Sequence, residues 1–293
     1  MTKLLGVVLF LIVTTITLQA EDKKIILISD VDDTIKRTHV LNHFTGGPFI
    51  NNDFVGLNVL YKMLVCNNIS KDQRLSICHD IIYKTTFQNI KVYYVSGAPS
   101  VVKYAGSLFV ENTQFPKGEF YHRPNLKIST RDFKITQIEH ILNQLDPKKK
   151  IEVLLIGDNG EKDIEVYDEI VKKFSHTKIK FHVYIHMVYA TEGDDKEIGL
   201  KKVGNQIPYL TAVDLALDFY SKGWVSKQDV IMVNNLVMNM LYDDYQKVLP
   251  AWVKCQEFID DYKMPLVQDK SLISDLEVYF KEIEDVCSGV SRW

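Results

Sequence analysis

Ile25-Ile26-Leu27-Ile28 is an unbroken apolar run that stops at Ser29-Asp30-Val31-Asp32-Asp33-Thr34. Without polar alternation, such a run predicts a strand buried on both faces, with Asp30 at its carboxyl end. Lys91-Val92-Tyr93-Tyr94-Val95, Ile151-Glu152-Val153-Leu154-Leu155-Ile156 and the partly alternating stretch from Ile179 to Val188 read the same way, and Gly118 to His122 reads as a short edge strand. Between them the apolar positions fall at helical spacing: Leu57, Leu60, Tyr61 and Leu64; Leu75, Cys78, Ile81 and Ile82; Val102, Ala105, Leu108 and Phe109. Ile135, Ile138, Ile141, Leu142 and Leu145 do so again, as do Ile164, Tyr167, Ile170, Val171 and Phe174. Each set predicts a stripe facing a core.

From Pro208 onward the strand pattern stops, and residues 209–221, 227–241, 251–262 and 271–286 are expected to be helices. Ser226-Lys227-Gln228-Asp229 fits a capping box. Leu272, Leu276, Tyr279, Phe280 and Ile283 form a stripe expected to pack on the main domain, with no basic face for a membrane surface. Alternation of strand and helix over 24–188 predicts an α/β fold, a mostly parallel sheet with helices on both faces. A C-terminal helical extension follows, and no internal repeat is visible.

The strand ends carry the candidate chemistry. In open α/β sheets the carboxyl edge is where ligands bind. Asp30 and Asp32 are two apart and share a face in extended backbone. Two carboxylates ~5 Å apart repel by about 3 kcal/mol at an effective dielectric of ~20. A hard oxygen-seeking cation such as Mg²⁺ removes that penalty. The second strand ends in Ser96-Gly97-Ala98-Pro99-Ser100, whose turn aims N–H groups and a hydroxyl at the same edge. The fourth ends in Gly157-Asp158-Asn159-Gly160-Glu161-Lys162-Asp163, again carboxylates at the end of a buried run. Thr130-Arg131-Asp132-Phe133-Lys134 opens a helix for which Asp132 is a candidate N-cap. A cation as early as Lys134 opposes the macrodipole unless an anion faces it. His182 and His186 share a strand face, which suits metal ligands but also satisfied core histidines. The 36–56 connection, with Phe44, Phe49 and Phe54, leaves the acidic cluster directly and is placed to cover a site.

The net charge of −3 implies no basic face for nucleic acid. Residues 1–20 differ from the rest: Lys3 precedes an apolar block from Leu4 to Leu18, about 22 Å if helical and short of a ~30 Å bilayer core. This reads as a secretory signal cleaved after Ala20, with an uncleaved anchor as the alternative. The expected locations are the periplasm, the exterior or a secretory lumen. In an oxidising compartment the 4 cysteines are expected to pair as Cys66–Cys78 and Cys255–Cys287, against four buried thiols. Asn68-Ile69-Ser70 is a glycosylation acceptor if the host glycosylates.

Asp30-Val31-Asp32-Asp33-Thr34, Ser96, Lys134 and Gly157-Asp158…Asp163 resemble, in order, the four motifs of the haloacid dehalogenase (HAD) superfamily. Ser29–Lys36, Tyr93–Pro99, Phe115-Pro116-Lys117-Gly118 and Ile156–Asp163 further resemble the phosphatidate phosphatase family first linked to actin patches. Ser100 stands where that family usually has a tryptophan. The resemblance implies a HAD-like Rossmannoid catalytic domain over 22–205, a small cap-like insertion within 36–90, and a helical extension over 206–293. It implies Mg²⁺-dependent hydrolysis of phosphatidate or another lipid phosphate, with peripheral membrane contact as a corollary. By the same resemblance Asp30 is the nucleophile and Asp32 the acid/base. Asp30, the Asp32 carbonyl and Asp158 hold the metal with Asp163 nearby, and Ser96, Gly97 and Lys134 hold the phosphoryl oxygens. Asp33 faces away from its neighbours, and Thr34 is expected to support the turn through backbone. Two alternatives stay open: a soluble phosphomonoester (nucleotide, sugar phosphate or phosphoprotein) as substrate, or a secreted binding protein without turnover.

Overall fold

The computed structural model describes residues 24–42, 52–66, 90–193, 197–250, 252–253, 255 and 269–289. The expected signal at 1–20, the stripe from Leu75 to Ile82, the glycosylation triplet, Phe44, Phe49 and most of the expected 251–262 helix lie outside them.

Among the described residues the chain runs through β1 (Lys24–Ser29), α1 (Leu57–Val65), β2 (Ile90–Pro99), α2 (Lys103–Asn112), β3 (Glu119–Arg123) and α3 (Thr130–Asn143). Then come β4 (Ile151–Asp158), α4 (Asp163–Lys173), β5 (Ile179–His186) and β6 (Ile207–Tyr209). The C-terminal part holds α5 (Ala212–Ser221), α6 (Lys227–Asp244), α7 (Lys270–Asp275) and α8 (Glu277–Cys287).

The six strands form one parallel sheet in the order β3-β2-β1-β4-β5-β6. β1 and β4 are central, and Ile25 to Ile28 and Val153 to Ile156 are buried on both faces. That is why their sequences do not alternate. α3 and α4 pack together, with α3 also against β2. α5 and α6 pack together and against α1, so these two helices extend the layer begun by α1. The parallel sheet, its helices and the helical C-terminal part are the α/β fold expected.

Several local expectations are corrected. β6 was not expected: it is short, contains Pro208, and exists through its pairing with β5. The following helix starts at Ala212, fixed by a capping box between Thr211 and Asp214. The N-cap of α3 is Ser129, whose side chain accepts from Asp132 N, so Asp132 is a first-turn residue. The C-terminal stripe is divided at Leu276 into α7 and α8. In α2, Phe109 turns into the core but Leu108 and Tyr104 are exposed, as is Val101 in the 3-10 turn Ser100–Val102 just before it. The Ser226–Asp229 capping box forms as expected. Cys255 and Cys287 are joined by a disulfide, while Cys78 lies outside the described residues.

Candidate active site

Asp30 follows β1 directly, and its N–H donates to Ile156 O at 2.8 Å, so the ends of β1 and β4 stay level. The chain then turns tightly. Ile35 N and Lys36 N both donate to Val31 O, at 3.0 and 2.9 Å. Asp33 sits in the left-handed region at φ 57°, which its short polar side chain tolerates better than most. Its Oδ1 accepts from Thr38 N and His39 N at 2.8 and 2.6 Å, and its Oδ2 accepts from Val40 N at 2.7 Å and from the Tyr189 hydroxyl. Asp33 therefore faces away from Asp30 and pins the connection instead. That connection closes on itself further along, with Arg37 N donating to Asn52 O and Phe54 N to Ile35 O. Phe54 is buried edge-on against His186 at 4.4 Å, so it belongs to the core rather than to a site mouth.

The Thr34 hydroxyl does not bond backbone as expected. It lies 3.2 Å from Asp30 Oδ2 and 3.4 Å from Asp158 Oδ2, tying the ends of β1 and β4 through their carboxylates. Asp158 Oδ1 accepts from Gly160 N at 2.6 Å and Glu161 N at 3.3 Å. Asp163, first residue of α4, accepts from Asp158 N at 3.3 Å through Oδ2. Gly157 is small for a reason: a Cβ there would lie 2.6 Å from Asp163 Cβ and Cγ.

Lys134 enters from α3 and answers the question its position raises. Its Nζ lies 2.8 Å from Asp30 Oδ1, 2.6 Å from Asp163 Oδ1 and 3.5 Å from Glu161 Oε2. Burial opposes the lysine's charge, yet Asp163, Asp30 and Glu161 together hold its pKa well above the usual value. From β2, Ser96 Oγ donates to Asp32 Oδ2 at 3.1 Å and accepts from Ala98 N at 3.1 Å. Gly97 is crowded too, since a Cβ there would meet Thr130 Cγ2 at 2.6 Å and Glu161 Oε2 at 3.0 Å.

The structure thus gathers Asp30, Asp32, Ser96, Gly97, Lys134, Asp158 and Asp163 around one rim of the sheet. They come from the turn after β1, from β2, α3, β4 and the start of α4, beside the point where strand order reverses. Glu161 joins them. The motif's spacing did not single it out, and only its contact with Lys134 does. His182 and His186 stay apart from the acidic group. His182 pairs with Glu152 at 2.8 Å. The ring nitrogens of His186 face Thr34 O and Leu210 O, both at 3.1 Å, and burial pushes its pKa down to about 4.

The electrostatics are lopsided. Asp30, Asp158 and Asp163 are fully buried and offer carboxylate oxygens within 4.8 Å of one another. Burial first, then the neighbouring carboxylates, raises the pKa of Asp30 and Asp158 well above the ordinary range. Asp163 is also raised by burial, although Lys134 opposes the shift. Burial pushes Asp32 up to about 6, against the pull of Lys36 and the Ser96 hydrogen bond. Lys134 among the oxygens of Asp30 and Asp163, with Lys36 acting on Asp32, leaves negative charge uncompensated in a low-dielectric site. A set of buried carboxylates is what a hard divalent cation takes, and the residues present fit one.

Residues 25–186 match the family model described as "Phosphatidate phosphatase APP1, catalytic domain". No curated protein and no solved structure matches the chain.

Proposed function

The chain belongs to the APP1 phosphatidate phosphatase catalytic-domain family, a HAD-like family of phosphatases, and on that premise we propose Mg²⁺-dependent hydrolysis of a lipid phosphomonoester through an aspartyl-phosphate. The observation that supports this reading most is the meeting of Lys134 with both Asp30 and Asp163. It brings the candidate nucleophile, a phosphate-binding cation and the acidic cluster to one point.

In this reading Asp30, Asp158 and Asp163, with the Asp32 carbonyl, hold Mg²⁺. Bound there, the ion offsets the charge of the carboxylates and of the incoming phosphate. An Asp30 carboxylate oxygen attacks phosphorus in line, forming the acyl phosphate as the ester oxygen leaves. Asp32, whose raised pKa keeps a proton within reach near neutrality, delivers it to that oxygen. As carboxylate it then takes a proton from the water that cleaves the acyl phosphate, releasing phosphate and restoring Asp30. Ser96, the Gly97 N–H and Lys134 hold the phosphoryl oxygens as charge builds on them. Asp33 positions the turn and touches no reacting atom, while the Thr34 hydroxyl donates to Asp30 Oδ2 and orients the nucleophile's carboxylate.

Export through the N-terminal segment belongs to the same proposal, and the Cys255–Cys287 disulfide supports an oxidising compartment. No helix among the described residues is long and apolar enough to cross a membrane.

The test is turnover on phosphatidate-containing liposomes beside a panel of soluble phosphomonoesters, each with and without Mg²⁺. Release of phosphate from phosphatidate only when Mg²⁺ is supplied is the expected result. Turnover confined to soluble phosphates would overturn the lipid assignment, and metal-independent turnover the Mg²⁺ assignment.

A further inference from the structure

The 3-10 turn Ser100–Val102 and the first turns of α2 expose apolar side chains where a solvated helix is normally polar. Val101, Tyr104 and Leu108 recur at i, i+3 and i+7, and are 84%, 67% and 49% exposed. Leu126, 73% exposed, and Ile128 stand on the segment that follows β3. The two segments are tied together: Ser100 Oγ donates to Pro124 O at 2.7 Å, and β2 pairs with β3 as far as Pro99 and Arg123. Both adjoin the candidate phosphate site. Ser96-Gly97 leads directly into Val101, and Ile128 precedes Thr130, which packs on Gly97. Residues 100–109 and 122–131 carry Lys103, Arg123, Lys127 and Arg131 and no Asp or Glu, in a chain of net charge −3. At the border of this surface Arg131 pairs with Glu169 and Asp132, and exposed Glu111 follows Leu108 on α2.

We propose that this surface seats the protein on an anionic phospholipid bilayer, with Val101, Tyr104, Leu108, Leu126 and Ile128 entering the interface. The inference rests on the lipid-phosphate reading above and adds to it where the membrane touches. Apolar side chains beside Arg123 and the exposed Lys127 match an anionic lipid surface, where burial and charge attraction add. Exposed apolar side chains grouped on two tied segments are a feature of interaction surfaces. Docked this way, the bilayer lies beside Ser96 and Gly97, so a lipid headgroup reaches the site without its chains leaving the membrane.

The test is co-sedimentation with vesicles of phosphatidylcholine alone or mixed with phosphatidylserine, for the wild type and a Val101→Ser/Leu126→Ser double variant. Phosphatidylserine carries no phosphomonoester, so docking is read independently of turnover. The wild type is expected to pellet with the mixed vesicles. The double variant should bind about tenfold more weakly, since two apolar side chains no longer enter the interface, while hydrolysing p-nitrophenyl phosphate at the wild-type rate. Lys127→Glu should weaken binding to the mixed vesicles only. Wild-type binding by the double variant, or no vesicle binding by the wild type, would overturn the proposal. So would a double variant that changes from dimer to monomer with vesicle binding intact, which would mean that the face joins two copies. Intact vesicle binding with no hydrolysis of phosphatidate would remove the lipid-phosphatase reading and leave the docking surface standing.

Discussion

Lys134 places its Nζ 2.8 Å from Asp30 Oδ1, and neither side chain meets solvent. Removing one partner of a buried pair leaves a charge uncompensated, at a cost of about 3–5 kcal/mol. Lys134→Met is therefore expected to lower the denaturant midpoint and abolish turnover. Its melting temperature should rise more on adding Mg²⁺ than the wild type's does, because the carboxylates have lost their internal cation. Equal stability of the two proteins without Mg²⁺ would contradict this account.

Asp30 and Asp32 are separable. Asp30→Asn should reduce turnover on the order of 10⁴-fold or more and leave no acid-trappable phosphoprotein. Asp32→Asn should cost about 10²- to 10⁴-fold, but with p-nitrophenyl phosphate, whose leaving group needs no proton, phosphoprotein should accumulate. Full turnover by Asp32→Asn would refute the proton-transfer role.

The pH dependence has a definite sign. Burial raises Asp32 to about 6, and its protonated form serves the departing alkoxide. For alkyl phosphates kcat/KM should fall as pH rises through that value. The Ser96 hydrogen bond holds the pKa down, so Ser96→Ala should move the alkaline limb upward as well as slow the reaction. A limb that stays in place in Ser96→Ala would show that another group sets it.

Gly157→Ala puts a methyl 2.6 Å from Asp163 Cβ. Overpacking of this kind costs about 1–3 kcal/mol, and here it displaces the carboxylate that Lys134 holds. Loss of turnover should exceed loss of stability, read by comparing kcat with the urea midpoint.

Cys255 and Cys287 close a loop with a sequence separation of 32. Chain-entropy arguments put the stabilisation near 4 kcal/mol for a loop of that size. Reduction, or Cys255→Ser/Cys287→Ser, should lower the thermal midpoint and leave p-nitrophenyl phosphate turnover at low temperature unchanged.

The parts of this molecule legible in the sequence are those whose signal is local. β1, β2, β4 and β5 are long apolar runs, and the acidic and hydroxyl groups stand at fixed offsets from their ends. β6 was hidden because three residues with a proline have no period, and only the neighbouring strand defines it. Asp33 faces away as expected, but its pinning role needs a left-handed backbone and Tyr189, 156 positions away. The Thr34 bond to Asp158 spans 124 positions, and pattern within a segment carries no trace of it. Ser129 and Asp132 are both good caps, and the choice between them rests on where the helix enters its packing against β2. Likewise, the periodicity of α2 showed a stripe but not which way it points.

The parallel sheet has a practical corollary. Because every strand runs the same way, the turns that lead into β4 and β5 lie on the rim away from the reactive groups. Lys148, Lys149 and Lys150 are exposed there. A label or solid support attached through that turn would hold the protein with its chemistry facing outward, available to a flowing suspension of vesicles.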